Sequence, residues 1–463
     1  MEYNLSETQF KEGKMFISSG EIRHSTGYRF KLFPFVTQPN SIVIENLDQL
    51  IGTFLCRIQN KKPIKITVSE LVEKLSSETE IEFGKENIFR DTVRQLFFDE
   101  DEQLRPLNLQ MLSHTTHKEL GEEKIADYLV DVLGDKCKLK NFIDSAELKA
   151  SDSYNVFEKL VLNNIESKTI ENTDELTYYR VIDSLKDVFE KDFEYILENQ
   201  TRVRDYLVSL LEFYFFSYTA QTCMQLDRFV YGDRNQNIPL YFCLEWEKTS
   251  QNRKCFTEGW QNLQRSIERM FAHAVVLEIL NHTDENSKQV DYIELQKIIT
   301  NNTEVESHIA KKIYNLTKLY RDAIIDCAQM NDIEKIENID EEIELSLKYL
   351  FDSVIVQFKN SKRLRAYNSY SKKFEKFCHK FLKNRGRNGL ILSISEENLI
   401  FLTKISIKDN EQMRLKDVFE EFQKRGVFLD NLSKEQVTEY YEKLNLIEKK
   451  SDSGDAKYVK RIL

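Results

Sequence analysis

Glu245-Trp246-Glu247-Lys248 sets two carboxylates beside a lysine inside "LYFCLEWEKTS". A metal-dependent nuclease uses those residue types, because carboxylates hold the ion while a lysine stands by the phosphate. The spacing does not match. The common pattern is an Asp followed by Glu-x-Lys on a strand, whereas Glu247 and Lys248 are adjacent and Glu245 is three residues from the lysine. Asp227 and Asp233 lie upstream as the remaining candidate partners. The favoured reading is a structural strand from Leu240 to Trp246, with Trp246 buried beside the helix of Trp260. "HTTH", from His114 to His117, lacks the glutamate of H-E-x-x-H and a nearby third ligand. There is no G-x-x-x-x-G-K-[ST], G-x-G-x-x-G or G-x-S-x-G. The expectation is a chain without catalytic residues, bound metal or cofactor.

Charge gives the stronger signal. The chain of 463 residues has a net charge of −11, so its surface as a whole repels phosphate. Lys359 to Arg387, "KNSKRLRAYNSYSKKFEKFCHKFLKNRGR", holds eleven Lys or Arg against one acid, Glu375, a net of +10. Read as a helix, it places Lys372, Lys373, Lys376, Lys380 and Lys383 in one sector. Phe374, Phe377, Cys378, Phe381 and Leu382 fall on the other side. The apolar face would anchor the helix and leave a lysine row for a phosphate backbone, whose neutralisation releases counterions. Lys362, Arg363, Arg365, Arg385 and Arg387 flank the row, and arginine can grip phosphate with two bonds. The plainer alternatives are a solvated helix face, or a partner for the acidic stretch Asn331 to Lys348.

These residues need a scaffold. Five Pro and thirteen Gly are too few for a turn-rich sheet protein, so the fold class expected is mainly α: a multi-domain helical scaffold with minor β. Residues 1–165 read as mixed α/β, with strands at "SIVIE" and "PIKITV" and helices at "ENIFRDTVRQLFF" and "EEKIADYLVDVL". The aromatic stretch Gly27 to Phe35 reads as a strand on the core. Residues 166–388 read as helical, with Thr173 as a candidate first cap and a long apolar helix from Val203 to Phe229. Residues 389–463 change rhythm: a strand, a helix capped by Ser395, a helix closed by Gly426, and a third helix capped by Ser433 with Gln436 and stapled by Leu432 and Val437. A hairpin follows, from Leu446 to Lys450 and from Lys457 to Leu463. That order is the order of a winged helix–turn–helix. Its third helix carries Glu435, Glu439 and Glu442, which oppose phosphate; its wing offers Lys449, Lys450 and Lys457. Such a unit contacts DNA or docks a protein.

Seven cysteines without a C-x-x-C pair suit reduced thiols and a cytoplasmic protein. No signal peptide is visible, and "YLVSLLEFYFFSYTA" is too short to span a membrane.

Three phrases carry a family resemblance: "TGYRFKLFPF", "LYFCLEWEKTS" with "EGW", and "KLNLIEKKSDSGDAKYVKRIL". Together they resemble DptG, the G component of bacterial phosphorothioation-dependent DNA restriction systems. The resemblance implies a non-catalytic subunit that binds double-stranded DNA. It would act with an F-type ATPase and an H-type helicase-like subunit on DNA lacking the sulfur mark, in defence against phage. The family offers no catalytic motif to carry over.

Overall fold

The computed structural model describes residues 3–16, 21–38, 47, 50–62, 66–100, 102–114, 121–165, 168–169, 176–198, 202–284, 288–300, 302–332, 342–449 and 457–462. The chain is mainly helical with small sheets. None of the described helices is long and apolar enough to cross a membrane.

Helix α1 spans Lys186–Glu198 and α2 spans Val203–Leu226. The second half of α2 is buried on all sides, as expected of a helix apolar around its circumference. Helix α3, Gln261–Leu280, packs along it, and α4, Leu364–Cys378, packs on α3. One apolar core runs from Tyr3 to Val459, so the segment boundaries at 165 and 388 do not interrupt it. A smaller core of Leu71, Leu75, Val93, Phe97 and Val161 lies under the helices Val68–Glu78, Glu86–Phe97 and Val156–Asn164.

Two sheets matter for the site. The first has the order β2-β3-β1-β5, built from β1 (Tyr241–Leu244), β2 (Leu382–Asn384), β3 (Leu390–Ile394) and β5 (Phe428–Leu429). β1 is parallel to both β3 and β5, and β2 is antiparallel to β3. The second is antiparallel, with β4 (Gln412–Arg414), β6 (Ile447–Lys449) and β7 (Lys457–Lys460) in the order β4-β7-β6. Helices α5 (Glu396–Ile407), α6 (Leu415–Lys424) and α7 (Asn431–Lys443) complete the C-terminal part.

Several local expectations are corrected. Thr173, the expected cap, lies outside the described residues, and α1 begins only at Lys186. The preceding backbone is captured instead. Asp131 accepts from the N–H groups of Thr177 and Tyr178 at 2.8 and 2.9 Å, and Tyr218 Oη accepts from Val181 N–H at 3.0 Å. Gly27 to Phe35 packs on the core but is not a strand. The buried Glu278 carboxylate accepts from Gly27, Arg29 and Phe30 N–H at 2.9, 2.9 and 3.1 Å, replacing a ladder. "SIVIE" and the first half of "PIKITV" lie outside the described residues, and Thr67 near the end of the latter caps a helix through a box with Glu70.

Ser395 caps α5 by accepting from Asn398 N–H at 3.1 Å. Gly426 ends α6 at φ +83°, where a Cβ would meet Ser217 Oγ at 2.8 Å. The cap of α7 is Asp430, accepting from Ser433 N–H at 3.0 Å, not Ser433. Leu432 is exposed and forms no staple. Trp246 is exposed rather than buried, and lies against Tyr440 at 4.9 Å between ring centroids.

Candidate nucleic-acid interface

The basic segment is anchored by its aromatic residues. Phe377 of α4 meets Phe215 of α2 at 4.8 Å, and Phe381 meets Phe216 at 4.3 Å between centroids. Phe374 packs between Phe35 and Phe215. The greasy side of the helix is where its periodicity put it.

The lysine row is shorter than a helical wheel implies. α4 stops at Cys378, a 3₁₀ turn covers His379–Phe381, and β2 follows. β2 must be extended because Leu382, Lys383 and Asn384 pair with Leu392, Ile391 and Leu390 of β3. Lys380 and Lys383 therefore leave the helical row. Lys383 sits on the edge strand of its sheet, where a lysine also discourages edge-to-edge association.

The predicted cations divide into engaged and open groups. Lys373 is buried, and its ammonium donates to Val36 O and Gln38 O at 2.8 and 2.6 Å. Burial first, and then the nearby Lys124, lower its pKa to about 8. Arg363 pairs with Asp326 and donates to Gln357 at 2.8 Å. Lys380 pairs with Glu212. Arg385 turns inward, donating to Leu244 O at 2.7 Å and Glu245 O at 3.0 Å. Lys449 and Lys457 share Glu442 at 3.6 and 3.2 Å. Lys450 lies outside the described residues.

Lys362, Arg365, Lys372, Lys383 and Arg387 remain exposed, and none of the five forms an ion pair with a described residue. Lys376 is exposed as well. Exposed cations are the chemistry that gives long-range attraction and point contacts to phosphate in general, without reading bases.

Of the two carboxylates in "EWEKTS", that of Glu247 is engaged in the fold. Glu247 is buried, accepts from Leu244 N–H at 3.0 Å and from Ser433 Oγ at 2.9 Å, and pairs with Arg253. Arg253 also holds Asp430, through Nη2 at 2.5 Å and Nε at 3.0 Å. The serine read from sequence as a helix cap instead ties α7 to the loop after β1. His114 is buried, with its pKa lowered to about 4 by burial and then by Lys61, and His117 lies outside the described residues. Among the described residues, no group of three or more His, Cys, Asp or Glu is placed to hold a metal ion.

A groove of about 530 Å³ borders Lys380, lined by Arg202, Arg204, Asp205, Glu212 and Glu397. Its charges are mixed, so it does not extend the basic face toward α5. No family model matches the chain, and no curated protein matches it.

Proposed function

We propose that this chain is a non-catalytic subunit that holds duplex DNA by its phosphate backbone and assembles partner proteins on it. The observation that carries the reading is the group of five exposed cations, Lys362, Arg365, Lys372, Lys383 and Arg387, without ion pairs to described residues. The resemblance to DptG supplies the context: a phosphorothioation-dependent restriction complex in which F-type ATPase and H-type helicase-like subunits provide the ATP chemistry. The sequence order and the β4-β7-β6 sheet flanked by α5, α6 and α7 support reading the C-terminal part as a winged helix. Its helix α7 carries Glu435 and Glu439 with exposed Leu432 and Leu444 at either end, which favours a protein-docking role for that unit.

Retention on random-sequence duplex, measured against salt, tests the reading. Five phosphate contacts give a log–log slope of about −4.5 and a loss of about 500-fold between 50 and 200 mM salt. Changing all five cations to Glu should abolish retention while the melting temperature holds. Unchanged retention in that variant would overturn the site. Tight binding to an ATPase partner with no DNA retention at low salt would favour a pure protein adaptor.

A further inference from the structure

We propose that Cys243 and Cys255 form a peroxide-reactive dithiol site, with Cys243 as the attacking sulfur and Cys255 as the resolving thiol. Cys243 lies on β1; Cys255 immediately precedes the turn Phe256–Trp260 that leads into α3. Both are fully buried, and with Ile391 they form a small cluster apart from the main core. The two thiols therefore share one buried cluster. Cys243 Sγ also lies 3.2 Å from Ser393 Oγ and 3.5 Å from Leu392 O, and Arg385 Nη2 reaches it at 3.6 Å. Leu392 O accepts from the thiol, whereas the Ser393 hydroxyl and above all the Arg385 guanidinium favour the thiolate.

The neighbouring Cys255 thiol first, and then Ser393 and Arg385, bring the Cys243 pKa down to about 6 despite burial. The Cys255 thiol is pushed up by the neighbouring Cys243 and by burial, so the proton of the pair resides on Cys255. Cys223 and Cys378 are equally buried, but burial without such donors raises both. Arg385 is half-buried in the turn between β2 and β3, next to exposed Gly386 and Arg387. Local opening of that turn admits a small oxidant.

With hydrogen peroxide as oxidant, the Cys243 thiolate attacks one oxygen. The O–O bond breaks, hydroxide leaves, and Cys243 becomes a sulfenic acid. Cys255 sulfur then attacks Cys243 sulfur, the S–O bond breaks, and the departing hydroxide takes the Cys255 proton as water. Two thiols and one peroxide give one disulfide and two waters, with hydroxide from the first step neutralised by solvent.

The test uses the full chain under native conditions with a small excess of hydrogen peroxide. It is then unfolded in alkylating agent and digested without reduction for mass spectrometry. The expected product is the Cys243–Cys255 linked peptide, with exposed Cys137 recovered alkylated. Cys255→Ser should divert the reaction to a dimedone adduct on Cys243. The linkage rate should stay near its maximum at pH 7 and fall below pH about 6. Three results would each overturn the site: no linked peptide, with Cys137 oxidised first; a dimedone label elsewhere in Cys255→Ser; or a rate still rising about tenfold per pH unit above pH 7.

Discussion

At the junction of α1 with α6 and along the segment 359–387, the chain uses cations in opposite ways. Arg425 is 1% exposed, and both its terminal and inner nitrogens meet Asp192 at 2.7 Å. Glu421 adds a contact at 2.7 Å, while Tyr214 Oη donates to Asp192 at 2.7 Å and Lys408 pairs with it at 3.0 Å. Every charge there has a fixed partner, and together they lock the C-terminal part onto the helical body. Along 359–387 the open cations are exposed and form no ion pair with a described carboxylate. A cation in the first place organises the fold, whereas one in the second is available to a ligand. Counting charges in a sequence does not separate the two.

Breaking the junction should have the largest effect. Asp192→Ala leaves buried Arg425 with only the more exposed Glu421 as counter-charge and Lys408 without a partner there, and a loss of about 3 kcal/mol in urea unfolding is expected. Replacing both partners by apolar residues of similar volume should recover most of it. A loss under about 1 kcal/mol for Asp192→Ala would erase the distinction between the regions.

Interior groups should also make stability depend on pH. Burial lowers the pKa of His273, and burial followed by Lys61 lowers that of His114 to about 4. The unfolded chain therefore binds protons at these sites below pH 6.5 while the native state does not. Their neutral-state stability is complete above pH 6.5 and falls as pH drops, by about 1.4 kcal/mol per pH unit for each histidine. His114→Leu should flatten that slope between pH 6 and 4.5 in thermal or urea unfolding; an unchanged slope would contradict it.

Adjacent lysines give the finest test. Lys373→Met removes the donor to Val36 O and Gln38 O and should cost about 1–3 kcal/mol. Lys372→Met, one residue earlier on the exposed side, should change stability by no more than about 0.5 kcal/mol. Equal costs would mean that the helix does not divide its lysines as described.

Much of the scaffold was legible because its signals are local. The all-round apolar run in α2, the Ser395 cap and Gly426 each follow from a few adjacent residues. The misread parts depend on remote partners. Nothing near Thr177 announces that Asp131 and Tyr218 will hold its backbone out of a helix. Asp430 and Ser433 are both competent caps, and the choice between them involves Arg253 and Glu247, far away in sequence. Within the candidate site, the apolar anchor was readable from its period. The fate of Lys373, Lys380 and Arg385 was not, because each meets a group contributed by a distant segment.

The position of β1 bears on how the molecule is made. Tyr241–Leu244 is flanked by β3 and β5, and both neighbours follow it in the chain. During translation this apolar strand leaves the ribosome long before Leu390–Ile394, and Phe428–Leu429 arrives later still. The nascent chain thus carries an unmatched strand with two open edges while everything between Leu244 and Leu390 is made, an invitation to misassociation. Holding that strand until the last neighbour emerges is a task suited to a chaperone.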